Sequence, residues 1–408
     1  MDIWTSLLQS ASISKATTSR NILLLGKPRG SSATQAAFIQ NIAASAPSGL
    51  YIVKGRTTQI ANDFALGYVY VDVLDRDQEE IILRLNIYSL SSIYESYARL
   101  LVDLFQRDKS TFETLLVTIL LDWEQPRRWI RDLAQYIKFL IEFVFKNLDQ
   151  DVCASALNKC ATTFRCYTDL VLNKLIGSQR YRQLASISFS EASDLPNRST
   201  EIDIPLGQGE YDAPLGVEML VAVMNSERID ILERQFGRKD DEFDFIQQFL
   251  RTVLLKPNVI QDGAALVYLS SESTTLFPLL FYLLSPSLLS EHSRNILIEA
   301  SKNIQPNVVD RDAVLIPSGW DSWSKILLIK EEFDVDGVSS GWSADVLSHD
   351  GDMEGIIEVY EDVVHAFRGP PGGTIGDDTP KKEVEIHSTT VQEFLKIQLA
   401  ELNSIEVS

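Results

Sequence analysis

Short, almost uninterrupted apolar runs alternate along the first 285 positions with longer stretches in which apolar residues recur every three or four places. Ile22-Leu23-Leu24-Leu25, Leu115–Leu121, Met219–Met224 and Ala264–Leu269 have the composition of strands covered on both faces. Phe64–Asp75 and Ile81–Ser89 read as two more strands, joined through the charged turn Arg76–Glu80 into a hairpin that reverses one of them. Helical spacing predicts helices over 33–44, 93–106, 127–148, 230–255 and 274–284. Phe38, Ile39 and Ile42 turn inward in the first, and Trp129 belongs to the apolar face of the third. Strands alternating with helices predict an α/β fold: a six-stranded, mostly parallel, doubly wound sheet with one antiparallel strand.

Four stretches fall outside this rhythm. Residues 2–11 predict a short amphipathic helix with Ile3, Trp4, Leu7 and Leu8 on one side. Residues 151–213 read as an insertion. Beyond Pro286, Val314–Pro317 and Ile326–Ile329 look like apolar strands flanking a turn that holds Trp320 and Trp323, and 337–355 reads as a Ser/Gly/Asp-rich loop. Residues 369–380 have the composition of a linker, and Val391, Phe394, Leu395, Leu399 and Leu402 line a last helix over 390–402. The expected organisation is an amino-terminal extension (1–19), a main domain (20–290), a carboxy-terminal extension packing on it (291–368), and an acidic linker with a terminal helix (369–408).

Charge changes the picture of partners. The chain of 408 residues has a net charge of −20, of which −14 lies between Glu331 and Ser408 and only −6 in the first 330 residues. An acidic chain is a poor match for nucleic acid or an anionic membrane, both of which reward clustered Lys and Arg, and a protein partner is expected instead. No run is apolar enough to insert in a bilayer. Cys153, Cys160 and Cys166 lack the spacing of a zinc site, so no metal is expected. The four histidines lie late in the chain in unrelated contexts, and no nucleophile–histidine constellation suggests itself.

The first strand, a glycine-containing loop and a helix stand where a nucleotide-phosphate loop would be. That motif, G-x-x-x-x-G-K-[ST], uses backbone N–H groups, a Lys on the phosphates and a hydroxyl on Mg²⁺. With Gly26 as its first glycine, the last three places read Ser31, Ser32 and Ala33, and using Gly30 instead supplies no lysine either. The metal and γ-phosphate motif D-x-x-G reads Ser89 and Ser92 at its fixed places. The guanine-reading N-K-x-D reads Asn225, Ser226, Glu227 and Arg228, with a cation where the acidic reader belongs. Ser270-Ser271-Glu272 replaces the S-A-K of the next strand. Each charge-assisted contact is worth about 1.5–3 kcal/mol, so losing four together removes tight Mg·GTP binding. No cofactor and no catalysis are expected; a divergent GTPase-like switch is the alternative.

These stretches, in order, resemble the dynein light intermediate chain family: NILLLGKPRG, GYVYVDVLD with LRLNIYSL, LLVTILLDWEQPRRWI, PLGVEMLVAVMNSERID, DDEFDFIQQFLR with GAALVYLSS, and AVLIPSGWDSW. The resemblance implies a Ras-like G domain with terminal extensions, in a non-catalytic subunit of a cytoplasmic, microtubule-linked motor. It implies the dynein heavy-chain tail and cargo adaptors as partners, the latter through the carboxy-terminal region. Animal members tend to keep the phosphate loop; its degeneration here resembles a fungal-type member with a pseudo-GTPase scaffold. The domain itself is expected to be monomeric. Trp320, Trp323 and Trp4 are the candidate heavy-chain contacts, since interfaces favour Trp; each could equally anchor its extension to the domain.

Overall fold

The computed structural model describes residues 19–26, 34–46, 50–54, 66–74, 81–90, 93–107, 112, 114–148, 217–236, 238–255, 264–284, 305–318, 320–347 and 355–364. The helix over 2–11, the insertion 151–213 with its cysteines, the linker 369–380 and the helix over 390–402 lie outside them.

Eight strands form one sheet: β1 (Ser19–Leu25), β2 (Tyr51–Lys54), β3 (Gly67–Leu74), β4 (Ile81–Leu90), β5 (Leu115–Asp122), β6 (Glu218–Met224), β7 (Ala265–Leu269) and β8 (Leu315–Ile316), in the order β2-β3-β4-β1-β5-β6-β7-β8. β4, β1, β5, β6 and β7 are mutually parallel. β3 is antiparallel to both β2 and β4, and β8 is antiparallel to β7. The expected mostly parallel α/β sheet is present, and among the described residues it extends from the anticipated six strands with one reversed to eight with two reversed. β2 is only four residues long and too short to show a period. β8 comes from the anticipated apolar run at 314–317, but as an edge of the same sheet.

Alternation along the strands divides the core. Leu23, Leu25, Val117, Ile119 and Val221 face one side, and Ile22, Leu24, Leu116, Leu120 and Leu220 the other. The second side is covered by α1 (Thr34–Ala44) through Phe38, Ile39 and Ile42, and by α6 (Leu276–Leu283). The first side carries α2 (Glu95–Arg107), α3 (Trp129–Phe139), α4 (Arg228–Phe236) and α5 (Asp240–Leu255). Trp129 is buried there as expected, its ring edge-on to Trp123 at 4.6 Å.

Three segments differ from the sequence reading in type or continuity. The segment after β5 starts as a 3-10 turn at Pro126–Arg128, runs as α3, then widens into a π turn at Leu140–Val144 and ends as 3-10. The helix expected over 230–255 is two, α4 and α5, with Gly237 between them in sequence. The run Ile326–Ile329 is not a strand: it closes the short α7 (Trp323–Leu327), with the Gln248 amide donating to Ile326 O at 2.9 Å and to Lys330 O at 3.0 Å.

The expected loop at 337–355 holds α8 (Val335–Leu347), followed by α9 (Ile356–Val363). Val335, Val338, Trp342 and Val346 are buried at helical spacing, diluted by Ser and Gly. Those glycines serve close packing: a Cβ on Gly341 would lie 2.9 Å from Ile356 Cβ, and one on Gly355 would strike the Asp345 carboxylate. Asp345 Oδ2 in turn accepts the Ile357 N–H, capping α9. Composition suggested a loop because two helices touching this closely cannot carry large residues where they meet.

Candidate functional site

In a parallel sheet the ligand edge lies beyond the carboxyl ends of the strands. Here that edge is made by Gly26, Leu90, Asp122 to Glu124, Asn225 to Arg228, and Ser270.

Gly26 ends β1, and a Cβ there would sit 2.8 Å from Leu120 Cβ, so the glycine is required by the close approach of β5. Gln35, in the first turn of α1, reaches back over the strand ends. Its Nε2 donates to Gly26 O at 2.9 Å and Leu90 O at 3.1 Å, tying β1 to β4. Gly30, Ser31, Ser32 and Ala33 lie outside the described residues. Ser89 pairs with Leu24 in the ladder, and its hydroxyl lies against Gly67.

At the guanine-motif position the side chains satisfy one another. Asn225 takes a left-handed backbone (φ 62°), which Asn tolerates, and its Nδ2 donates to Asp122 Oδ1 at 2.9 Å. The same oxygen accepts the Glu124 N–H at 2.9 Å. Arg228, the residue in place of the acidic reader, pairs with Glu124 at 2.7 Å. The Trp123 backbone N–H donates to Met224 O, and the Trp129 indole N–H to Asp122 O at 2.8 Å, fixing β5 against β6 and α3. Asp122 and Glu124 were not singled out from sequence as site residues; their position just after a buried strand was the available signal.

Trp320 and Trp323 flank Asp321, and this turn is held to the domain. Arg251 of α5 makes a two-pronged ion pair with Asp321, at 2.7 and 2.6 Å. The Lys325 ammonium donates to Trp320 O at 2.5 Å and lies 4.1 Å from the centre of the Trp320 ring. Trp320 is partly buried against the main core, and Trp323 against a smaller cluster with Leu255, Ile326 and Val335. Sequence reasoning missed Arg251 and Gln248 as partners of this turn, although a lone Arg inside the apolar run Phe249–Leu255 signals a buried charge pair. Leu328, just beyond α7, is 84% exposed. Trp4 lies outside the described residues. Among the described residues no group of three or more His, Cys, Asp or Glu could hold a metal, and no helix is long and apolar enough to cross a membrane.

The six central strands, β3-β4-β1-β5-β6-β7 with only the first reversed, define a Ras-like domain, one whose guanine edge holds an ion pair of its own. The family model for the dynein light intermediate chain matches residues 1–346, and the chain belongs to that family. A crystal structure of the dynein light intermediate chain's conserved domain superposes with a TM-score of 0.59 at 30% identity, over 86% of this chain and 99% of that one. Cytoplasmic dynein 1 light intermediate chain 1 of Rattus norvegicus and of Homo sapiens are each 26% identical over 336 residues, 81% of this chain and 56% of theirs. The Dictyostelium discoideum protein of that name is 24% identical over 80% of this chain and 64% of its own. The chain therefore spans a little over half the length of the animal relatives.

Proposed function

We propose that the chain is a non-catalytic subunit of a cytoplasmic dynein motor, in which a pseudo-GTPase domain acts as a scaffold on the heavy-chain tail and helps link the motor to cargo adaptors. The observation that carries the scaffold reading is the pairing of Arg228 with Glu124 and of Asn225 with Asp122. A guanine base needs a free carboxylate at that position, and this chain presents a neutralised guanidinium. The similarity to cytoplasmic dynein 1 light intermediate chains supports the motor assignment. The Trp320–Trp323 turn is the proposed heavy-chain contact. It offers half-buried indoles on a base ion-paired to α5, with the exposed Leu328 a few residues on in sequence. The motor role places the chain in the cytoplasm, on microtubules through dynein.

Two measurements test these statements separately. Titration with mant-GTP and Mg²⁺ is expected to show no saturable binding; micromolar binding abolished by EDTA overturns the scaffold reading in favour of a divergent GTPase-like switch. Retention of a dynein heavy-chain tail by the immobilised chain is expected, and its failure overturns the motor reading. Retention by Trp320→Ala/Trp323→Ala at the wild-type level overturns only the contact assignment.

A further inference from the structure

One end of the sheet presents an aromatic face. The ladder registers put Ser19, Arg84, Asp72 and Val53 in one row, Asn21, Asn86 and Tyr70 in the next, and Leu23, Tyr88 and Tyr68 in a third, with Tyr51 opposite Leu74 beyond the first. Residues directly opposite in a sheet share a face, so Tyr51, Val53, Tyr68, Tyr70 and Tyr88 all project to one side. On the other side of the same strands Val71, Val73, Leu83 and Leu85 are buried with α1. On the aromatic side Tyr51, Val53 and Tyr68 remain 46%, 51% and 47% exposed.

The polar groups of this face are spent on each other. Arg84 grips Asp72 at 2.6 and 2.9 Å and lies 4.6 Å over the Tyr70 ring. Asn86 donates to Asn21 and accepts from the Tyr68 hydroxyl at 2.9 Å. What remains is Val53, aromatic rings and phenol hydroxyls, electrically neutral, suited to an uncharged amphipathic segment and not to a charged ligand.

We propose that the first eleven residues of this chain dock on this face, with Ile3, Trp4, Leu7 and Leu8 against Tyr51, Val53, Tyr68 and Tyr70. The course of the chain supports this occupant. β1 begins at Ser19, in the same row as Val53 and three strand spacings from it, about 14 Å. The seven residues 12–18 span up to about 23 Å when extended, enough to lead back across the row. Ten helical residues are about 15 Å long, the width of the four strands. Residues 1–18 carry one acidic side chain, Asp2, and one basic, Lys15, matching the neutral face. Docking places Trp4 on the domain and not on a partner, and it stands independently of the motor role.

Trypsin cleavage after Lys15 in the full chain tests the docking, together with amide exchange at Tyr51–Lys54. Trp4→Ala/Leu7→Ala/Leu8→Ala is expected to raise exchange at those amides about tenfold, with exchange at Leu115–Asp122 unchanged as the folding control. The reciprocal variant Val53→Ser/Tyr68→Ser, altered only at exposed positions, is expected to speed cleavage after Lys15 severalfold. A Leu8→Cys/Val53→Cys variant lacking the three native cysteines is expected to form an intramolecular disulfide. Unchanged exchange and cleavage overturn the proposal, as does a disulfide found only between two chains, which would give the face to a second copy.

Discussion

The Arg251 guanidinium and the Asp321 carboxylate form a two-pronged ion pair whose side chains are 0% and 7% exposed. It joins the main domain, through α5, to the Trp320–Trp323 turn. Removing one partner of a buried pair leaves an uncompensated charge and costs about 3–5 kcal/mol, whereas replacing both with apolar residues is often close to neutral. Urea unfolding is therefore expected to show Asp321→Ala strongly destabilised and Arg251→Met/Asp321→Leu largely restored. A double variant as unstable as the single one would mean that the pair does more than neutralise itself.

Gly26 and Gly67 look alike in sequence but differ in what surrounds them. A Cβ on Gly26 meets Leu120 Cβ, which is fixed to the backbone of β5, while one on Gly67 meets the Ser89 hydroxyl, which can rotate away. Gly26→Ala is expected to cost about 1–3 kcal/mol as an overpacked core substitution, and Gly67→Ala clearly less. Thermal unfolding of the two variants side by side reads the difference. The glycine that begins a phosphate loop in other Ras-like domains is thus kept here for packing.

How much was legible in the sequence follows from how directly a residue's role shows in its neighbours. The five parallel strands and α1, α2 and α6 were readable because their apolar spacing is repeated and unbroken. β2 was not, having four residues, and α8 was not, because Gly341 and the residues around it answer to the nearness of Ile356, far away in sequence. At the site, the loss of the lysine and of the guanine-reading carboxylate was visible residue by residue. That Glu124 would take up Arg228, and Gln35 would bridge Gly26 to Leu90, depended on strand ends meeting in three dimensions.

A phosphate loop restored in sequence is not expected to restore binding. Ser31→Gly/Ser32→Lys/Ala33→Thr completes the consensus from Gly26 onward. The guanine edge still holds Arg228 on Glu124 and Asn225 on Asp122. Each missing charge-assisted contact costs about 10- to 150-fold in affinity. Mant-GTP fluorescence with Mg²⁺ is expected to stay flat into the high micromolar range for this triple variant.

Acid is expected to loosen the segment that carries the Trp turn. Arg311 holds the Asp240 carboxyl below its ordinary value, and Lys330 does the same for Asp241, both at the start of α5. A carboxylate with a depressed folded pKa stabilises the structure above its ordinary value of 3.8 and loses that contribution as pH falls through the lower, folded one. Both carboxylates are exposed, so salt screens them as well. Amide protection factors, corrected for the intrinsic pH dependence of exchange, are expected to fall over 305–318 and 320–330 below about pH 4, or in high salt at neutral pH, before those of β5 and β6 do.

Alkaline pH acts on three tyrosines buried in the same core cluster as α5. Burial raises the hydroxyls of Tyr136, Tyr268 and Tyr360 above the usual 10. A group whose folded pKa is raised stabilises the fold fully below its unfolded value and loses that contribution as pH climbs towards the folded one. Stability should therefore decline from about pH 10 upward. The two innermost tyrosines separate at neutral pH. Tyr360 donates to Pro126 O at 2.8 Å, so Tyr360→Phe should cost about 1 kcal/mol. Tyr268 OH has no hydrogen-bond partner among the described residues, so Tyr268→Phe should be neutral or slightly stabilising. Both variants remove one alkaline-sensitive group and should unfold at higher pH, relative to their own stability at pH 7, than wild type does. If Tyr268→Phe instead proves as costly as Tyr360→Phe, its hydroxyl has a partner, such as a buried water, that must be left unpaired when it goes.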